Sequence, residues 1–267
     1  MKIGITGYSG SLGKTLININ KSNKIYRFRG DIRKKSDIKS WFKNKKIDAI
    51  FHLAAIVPIK IVKKNKKKAY EVNYLGTKNL VDIALKNNIK WFFFASTSHV
   101  YKSSKKKINE NGKIKPISFY GKTKFLAEKF IVKKLEGKIN YCIGRIFSTT
   151  NKNQKQNYLV PDLKNKIKKT QKKLKLRNLN HYWDFISMED ISNIIFVLMR
   201  KKFSGIINIG SGRKTYLKDI AKIILKKYKK DANFVDISKT TYLLSDNLKL
   251  KKIINFKINS NLNKMIF

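Results

Sequence analysis

The chain has 267 residues, and its 62 lysines and arginines outnumber 16 aspartates and glutamates, which gives a formal net charge of +46. Such a charge suggests a nucleic-acid binder. However, 55 of the 62 cationic residues are lysine, and the chain has 26 asparagines but only 3 glutamines. Drift toward A/T-rich codons explains both preferences. A selected nucleic-acid surface would favour arginine, so we expect no specific nucleic-acid partner, and the 42% of hydrophobic residues excludes a disordered polybasic chain.

Short apolar runs alternate with amphipathic segments over the first two hundred residues, a pattern typical of βαβ units around a parallel sheet. Strands are predicted at 2–6, 24–28, 48–53, 90–96, 141–146 and 206–209. Helices are predicted near 11–18, 36–43, 69–87, 120–135 and 190–199. The predicted fold class is therefore α/β, a doubly wound parallel sheet of the Rossmann type with a small C-terminal substrate lobe.

The same pattern predicts two domains. Residues 1–148 are predicted to form a dinucleotide-binding Rossmann domain, and 149–267 a mixed region that completes the sheet and forms the small substrate-binding lobe. Within that region residues 149–181 lose regularity and are rich in asparagine and lysine, and one helix is predicted at 217–228. The lysine-rich stretches at 63–68 and 164–175 are interpreted as solvated helix faces or loops.

Four of the 13 glycines lie in the first thirteen residues, where they connect the first strand to the first helix. This is the context of a dinucleotide-binding loop. Gly7 would form the tight turn, Gly10 would let the backbone approach a pyrophosphate, and Gly13 would let the helix pack closely on the sheet. The helix N-terminus would add free N–H groups. The sequence from Gly13 to Thr15 imitates the end of a mononucleotide P-loop, but Tyr8 stands where that loop requires its first glycine.

A tyrosine and a lysine, Tyr120 and Lys124, lie four residues apart at the start of a predicted helix, so their side chains share one face. A free phenol has a pKa of about 10, and a neighbouring ammonium moves it toward the neutral range. This spacing alone would arise by chance in a chain with 12 tyrosines and 55 lysines. The pair is informative because it occurs together with the glycine loop.

Further ordered motifs accompany these two and extend over nearly the whole chain. They are the segments Thr6 to Gly13, Gly30 to Ile32, Phe51 to Ala55, Tyr70 to Thr77, Ala95 to Tyr101, Pro116 to Lys124, Asp184 to Asp190 and Asn208 to Gly212. Together they resemble the extended short-chain dehydrogenase/reductase family, the NAD-dependent epimerases and dehydratases of nucleotide sugars. The short chain and its brief second strand are most similar to the dTDP-4-dehydrorhamnose reductase branch.

The resemblance implies roles for the matching residues. Tyr120 is implied as the catalytic acid/base, Lys124 as the residue that lowers its pKa and holds the nicotinamide ribose, and Thr97 as the hydroxyl that binds the reacting sugar oxygen. Asp31 is implied to contact the adenine, and Asn73 to support the site through backbone contacts. The predicted cofactor-binding residues are Gly7, Tyr8, Ser9, Gly10, Ser11, Leu12, Gly13, Arg29, Asp31, Ile32, Leu53, Ala54, Ala55, Tyr120 and Lys124. The predicted substrate-binding residues are Thr97, Ser98, His99 and Arg177, and no metal site is expected.

Departures from the family pattern narrow the chemistry. Family members that perform 4,6-dehydration carry an Asp-Glu pair directly after the catalytic threonine, where this chain has Ser98 and His99, so dehydration is not expected. The family's epimerase-reductase that forms GDP-fucose has a cysteine acid/base at the second position, but we interpret His99 as a polar contact to substrate hydroxyls. Trp183 replaces the family's diphosphate-binding arginine, and Arg177 with the segment 164–175 is the predicted replacement.

The activity that the resemblance implies is hydride transfer from NAD(P) to C4 of a nucleotide-linked 4-keto sugar. A 4-epimerase, which removes and returns the hydride with the same residues, stays open, and so does a noncatalytic NAD(P)- or RNA-binding relative. Arg27 and Arg29 stand at the end of the second strand, where NAD-binding proteins carry an acidic residue that would repel a 2′-phosphate. NADP is therefore the predicted cofactor, with NAD open.

The setting expected for the chain is the cytoplasm. Its longest apolar runs, such as 191–199, are far shorter than the roughly 20 residues that cross a bilayer, and residue 1 leads directly into a strand pattern with no signal region. The single cysteine, Cys142, permits no internal disulfide. No membrane partner is expected, and the resemblance implies a homodimer through the predicted helices 69–87 and 120–135.

Overall fold

The computed structural model describes residues 1–57, 59–152, 154, 156–170, 174–259 and 261–267. The first part of the chain alternates strands with helices. Its elements are β1 (Lys2–Thr6), α1 (Ser11–Ile19), β2 (Lys24–Arg27), α2 (Lys35–Phe42), β3 (Ala49–His52), α3 (Ile59–Lys64), α4 (Lys66–Tyr70), α5 (Gly76–Lys86), β4 (Trp91–Thr97), α6 (Phe119–Leu135) and β5 (Asn140–Ile146).

The second part consists mainly of shorter elements around three helices of 11 to 13 residues. They are β6 (Ser148–Thr150), α7 (Leu159–Lys169), β7 (Leu174–Arg177), β8 (Tyr182–Trp183), β9 (Phe185–Ser187), α8 (Met188–Arg200), β10 (Gly205–Ile209), β11 (Thr215–Tyr216), α9 (Leu217–Tyr228), β12 (Ala232–Val235), β13 (Tyr242–Leu243), α10 (Leu248–Lys251) and α11 (Leu262–Ile266). Among the described residues no helix combines the length and the apolar character that crossing a bilayer requires.

Six strands form one sheet in the order β10-β5-β4-β3-β1-β2, and each neighbouring pair is parallel. The predicted doubly wound α/β fold is confirmed. The strand order reverses between β1 and β3, and proteins of this class bind ligands outside the carboxyl ends of the strands at that switch point. Thr6 and His52, the last residues of β1 and β3, are register partners and mark the place.

Alternating side chains of the strands form two hydrophobic cores, one on each face of the sheet. Phe51 and Phe93 pack with residues of α1 and α8 on one face. Phe92 and Phe94 pack with residues of α2, α5 and α6 on the other face. Both faces are covered, which explains why the sequence of β4 is apolar at nearly every position rather than alternating.

The region 149–181, predicted to be irregular, contains α7 and β7. Val160, Leu163 and Ile167 recur at helical spacing along α7, and they share a hydrophobic core with residues of α9. The many lysines between these apolar positions made the apolar face of this helix difficult to recognise in the sequence. Strand β7 pairs with β12, so this region and the C-terminal part of the chain pack together. Residues 171–173 of the predicted basic segment lie outside the described residues.

The long helix predicted at 69–87 is interrupted in the structure. It begins as α4, widens into a π-helical turn at Glu71–Leu75, and continues as α5. The turn presents Asn73 to the loop after β3, where its Oδ1 accepts a hydrogen bond from the N–H of Ile56 at 2.7 Å and its Nδ2 donates to the carbonyl of Ile56 at 3.0 Å. Such turns are frequent at functional sites, and this one fixes a loop that borders the cleft.

Candidate active site

A cleft of about 1260 Å³ opens between the carboxyl ends of β1, β3 and β4 and the elements α7 and β7. Its walls come from the loops after β1, β2, β3 and β4, from the start of α6, and from α7 and β7. Every residue predicted for the cofactor or substrate site lines this cleft, with the exception of Lys124. The structure therefore brings together residues that are up to 170 positions apart, from Gly7 to Arg177.

The three loop glycines differ in what surrounds them. Gly7 has φ +72°, and a Cβ there would lie 2.6 Å from the backbone nitrogen of Ala54. A Cβ on Gly13 would lie 2.5 Å from the carbonyl oxygen of Gly7. The chain's own packing thus requires both, whereas a Cβ on Gly10 would meet nothing closer than 3.4 Å. Gly10 opens the loop beside the first turn of α1, whose N–H groups lack helical partners and suit a phosphate.

Positive charge surrounds the end of β2. The guanidinium carbon of Arg27 lies 5.9 Å from the ring centroid of Tyr8 in the glycine loop, and the exposed Arg29 lines the cleft. Asp31 is paired with Arg33 at 2.6 Å, and Arg33 is also paired with Glu71 at 3.2 Å. Hydrogen bonds from Arg33 lower the pKa of Asp31 to about 2. This edge of the cleft is therefore net cationic, with Asp31 held as a carboxylate.

The predicted acid/base Tyr120 is 8% exposed at the floor of the cleft. Burial raises its pKa above the ordinary value, Tyr158 raises it further, and a hydrogen bond with Thr97 acts in the opposite direction. Tyr120 is therefore a protonated phenol at neutral pH. Thr97, at the end of β4, lines the same cleft.

The lowering of the Tyr120 pKa by Lys124 stays a prediction, and the structure shows where the lysine lies in the described residues. Spacing on α6 places both residues near one face, but the ammonium of Lys124 lies 3.8 Å from the ring centroid of Phe94. It is not among the groups that shift the pKa of Tyr120. Burial lowers the pKa of Lys124 itself to about 7, with the carboxylate of Glu128 opposing the effect. The four-residue offset determines the helix face on which Lys124 lies, but its long side chain can extend to a partner other than Tyr120.

His99 is held at three points beside Tyr120. Its backbone N–H donates to Thr97 Oγ1 at 3.2 Å, its carbonyl accepts from the N–H of Ile117 at 3.0 Å, and its ring Nδ1 lies 3.2 Å from Ser118 Oγ. A side chain at Gly121 would collide with the His99 carbonyl, so α6 lies directly against this segment. Burial lowers the pKa of His99 to about 4, and the ring is neutral at physiological pH.

A buried ion pair supports the strand ends that border the cleft. Arg145 Nη2 lies 2.7 Å from Glu128 Oε2, and both side chains are at most 4% exposed. Ser96 Oγ donates to the other carboxylate oxygen of Glu128. Arg145 also donates to the hydroxyl of Tyr101 at 2.9 Å, and that hydroxyl donates to Asn208 at 2.7 Å. The network joins α6 to β4, β5 and β10, and it fixes the strand ends that border the cleft.

Asp184, from one of the late motifs, has a structural role behind the site. Its carboxylate accepts hydrogen bonds from the N–H and Oγ of Ser211 at 2.8 and 2.5 Å, from the N–H of Gly212 at 2.8 Å, and from Ser245 Oγ. Burial raises its pKa, and these hydrogen bonds oppose the shift. The two late motifs therefore meet at one buried carboxylate.

The structure adds cleft residues that sequence analysis did not identify. Tyr158 precedes α7, lines the cleft and lies close enough to Tyr120 to raise its pKa. Thr149 Oγ1 is enclosed, and no residue in the described part of the chain bonds to it. Both lie in the region 149–181, whose sequence showed no regular pattern. Trp183 lines the same wall as Arg177, in place of the arginine that the family pattern contains.

The fold and the cleft define a doubly wound enzyme with a dinucleotide-type glycine loop, a threonine at the end of β4 and a tyrosine at the start of α6. Residues 3–210 match the family described as the NAD dependent epimerase/dehydratase family. The chain belongs to this family of nucleotide-sugar enzymes, and the resemblance predicted from its sequence is confirmed.

Individual relatives share much of the chain. The sequence is 30% identical over 223 residues to GDP-6-deoxy-D-talose 4-dehydrogenase of Aggregatibacter actinomycetemcomitans, a match that covers 79% of this chain and 75% of that protein. The fold is similar to RMD from Pseudomonas aeruginosa, solved with NADPH, with a TM-score of 0.89, 16% identity and coverage of 99% and 96%. It is also similar to the UDP-glucose 4-epimerase of Thermus thermophilus, solved with NAD, with a TM-score of 0.84, 16% identity and coverage of 100% and 98%.

Proposed function

We propose that the protein is an NAD(P)-dependent oxidoreductase that transfers a hydride to C4 of a nucleotide-linked 4-keto sugar. The observation that carries this proposal is that Tyr120, Thr97 and the glycine loop line one cleft. The similarity to a GDP-6-deoxy-D-talose 4-dehydrogenase supports it, since that name specifies a redox reaction at C4 of a nucleotide-linked sugar.

The residues of the cleft fit a dinucleotide. Gly10 leaves room beside the first turn of α1, Arg29 and Asp31 would border the adenosine, and Ala54 and Ala55 would let the cofactor lie close to the end of β3. When bound, the nicotinamide supplies or accepts the hydride.

Reduction suits the protonation state of the site. Tyr120 is a protonated phenol because burial raises its pKa, and a general acid must carry its proton. Its hydroxyl would donate that proton to the C4 oxygen as the carbonyl becomes an alcohol. Thr97 would hold the same oxygen and then stabilise the phenolate. Lys124, whose pKa is lowered to about 7, would contribute positive charge near the phenolate in the fraction that is protonated.

A nucleotide-sugar 4-epimerase is the second candidate. It requires the same tyrosine and threonine, and it removes and returns one hydride instead of consuming a reduced cofactor. The fold similarity to UDP-glucose 4-epimerase supports this candidate. The proposed diphosphate contact through Arg177 serves either reaction, since it concerns the nucleotide and not the sugar carbon.

The deciding experiment offers the protein 4-keto sugars linked to GDP, dTDP and UDP, each with NADPH or NADH, and follows the absorbance of the reduced nicotinamide. We expect one of these 4-keto sugars to be reduced, with one molecule of reduced cofactor oxidised for each molecule of sugar. The corresponding 4-hydroxy sugars are offered with NAD in parallel, and their interconversion with no net absorbance change would establish the epimerase instead. Cofactor binding without either reaction would indicate a noncatalytic relative.

Replacement of the phenol tests the assignment of Tyr120. We expect Tyr120→Phe to lower turnover by about 10² to 10⁴-fold, the usual contribution of general acid catalysis, with cofactor affinity retained. Tyr228→Phe is the matched control, because that ring packs against Phe267 and does not line the cleft. Near-normal turnover by Tyr120→Phe would overturn the role given to this residue.

A further inference from the structure

Ser118 makes two contacts with its hydroxyl at the start of α6. It is the N-cap of the helix, and its Oγ accepts a hydrogen bond from the N–H of Gly121 at 3.0 Å. The same oxygen lies 3.2 Å from Nδ1 of His99. These are the contacts that the hydroxyl makes among the described residues, so they determine where its proton points.

A serine hydroxyl has one proton to donate and two lone pairs. Since Gly121 uses a lone pair, the acceptor that the described residues offer to the proton of Ser118 is the Nδ1 of His99. The reverse arrangement, with Nδ1–H donating to Oγ, would leave the hydroxyl proton unpaired in a partly buried position, which costs free energy. This pairing favours the neutral ring with the lone pair on Nδ1 and the proton on Nε2.

The other ring nitrogen of His99 is open to the cleft. Nε2 has no hydrogen-bond partner in the described part of the chain, and it is not enclosed, because the enclosed unpaired side-chain atoms there are Trp41 Nε1 and Thr149 Oγ1. The ring lies between Tyr120 and Trp183, with centroid separations of 6.2 and 6.5 Å. Both rings line the cleft, so Nε2 is placed beside the proposed acid.

We infer that Ser118 fixes His99 in its Nε2–H tautomer, and that His99 thereby donates a hydrogen bond to an oxygen of the sugar and has no lone pair with which to act as a base. The assignment of that oxygen to a sugar rests on the proposed function, whereas the assignment of the tautomer does not.

The consequence for the reaction is specific. A base that removes a proton from the carbon next to a keto group needs a lone pair directed at that carbon. The lone pair of His99 is directed at Ser118 instead, so the side chain can orient the substrate but cannot epimerise it at a neighbouring carbon. His99 is thus a binding residue, and Ser118 is a positioning residue that acts through it.

The tautomer is measured on the free protein. The chain has three histidines, so ¹⁵N-histidine labelling gives a simple long-range ¹H–¹⁵N spectrum, and the loss of a signal in His99→Gln assigns His99. At neutral pH we expect Nδ1 of His99 in the unprotonated range and Nε2 in the protonated range. Ser118→Asp keeps an N-cap acceptor but has no proton to give, so Nδ1 should become protonated. Ser118→Thr, which keeps both functions, should resemble the wild type.

A protonated Nδ1 in the wild-type protein, or an unchanged tautomer in Ser118→Asp, would overturn the inference. Neither result depends on a substrate, so failure here is distinguishable from failure of the proposed function.

The donor role is tested with the 4-keto sugar that the protein turns over. His99→Leu, which has no donor, should have a kcat/KM roughly two- to tenfold below that of His99→Gln, which retains an N–H donor; this difference is the worth of one neutral hydrogen bond. Reaction in deuterated water should leave the carbons next to C4 unlabelled. Deuterium that appears with wild-type protein and disappears with His99→Gln would show that His99 is a base and would overturn the inference.

Discussion

Loss of the buried carboxylate of Glu128 should destabilise the whole fold. The Arg145 guanidinium lies 2.7 Å from this carboxylate, and the two side chains are 4% and 2% exposed. Glu128 also raises the pKa of the buried Lys124, so one negative charge offsets two cations. Glu128→Gln keeps the shape of the side chain but removes that charge.

The expected loss follows from the burial. Removal of one partner of a buried ion pair costs about 3–5 kcal/mol, because the other charge is left uncompensated away from water. Domains of ordinary stability unfold with about 5–15 kcal/mol. Glu128→Gln should therefore lower the free energy of unfolding by about 3–5 kcal/mol, a large part of the total.

Urea unfolding followed by tryptophan fluorescence measures the change. Two variants sharpen the result. Lys60→Ala breaks a pair with Asp162 whose lysine side chain is 71% exposed, and we expect a loss below about 1 kcal/mol. The double replacement Glu128→Leu with Arg145→Met removes both charges, and it should be less destabilised than Glu128→Gln. A loss below about 1 kcal/mol in Glu128→Gln would refute the argument, since it would mean that water reaches Arg145.

Three further results are expected. Cofactor titrations should show tighter binding of NADPH than of NADH, and Arg29→Ser should weaken NADPH alone, since Arg29 lines the cleft beyond β2; equal affinities in the wild type would contradict the cationic edge as a 2′-phosphate site. Acid should destabilise the protein through His99, because burial lowers its pKa from 6.5 to about 4 in the folded state: the contribution is present above pH 6.5 and is lost as the pH falls through that value toward 4, so unfolding curves of His99→Gln should depend less on pH over this interval, and an unchanged dependence would contradict this reasoning. Binding to DNA or RNA should be weak, sequence-independent and strongly reduced by salt, in keeping with +46 charges spread over the chain; a defined site bound at nanomolar affinity in physiological salt would favour the nucleic-acid alternative.

Local chain patterns were sufficient to predict the main architecture of this protein. Alternating apolar runs and amphipathic segments predict parallel strands and covering helices, because each element must bury its own apolar face. The glycine loop was predictable for the same kind of reason. A Cβ on Gly13 would meet the backbone of its own βα unit, and a Cβ on Gly7 would meet the backbone at the end of the neighbouring strand. Glycine is therefore required where this strand leads directly into its helix.

Partners within the site were decided by tertiary packing. Spacing placed Tyr120 and Lys124 on one helix face, but only tertiary packing shows that the Lys124 ammonium lies 3.8 Å from the centroid of the Phe94 ring. Tyr158 reaches the cleft because α7 packs against α9, two helices that sequence separates by about 50 residues. The tautomer of His99 depends on Ser118, 19 residues away, through a single proton. Such contacts join distant parts of the chain, and their energies depend on distances of a few ångströms that no local pattern encodes.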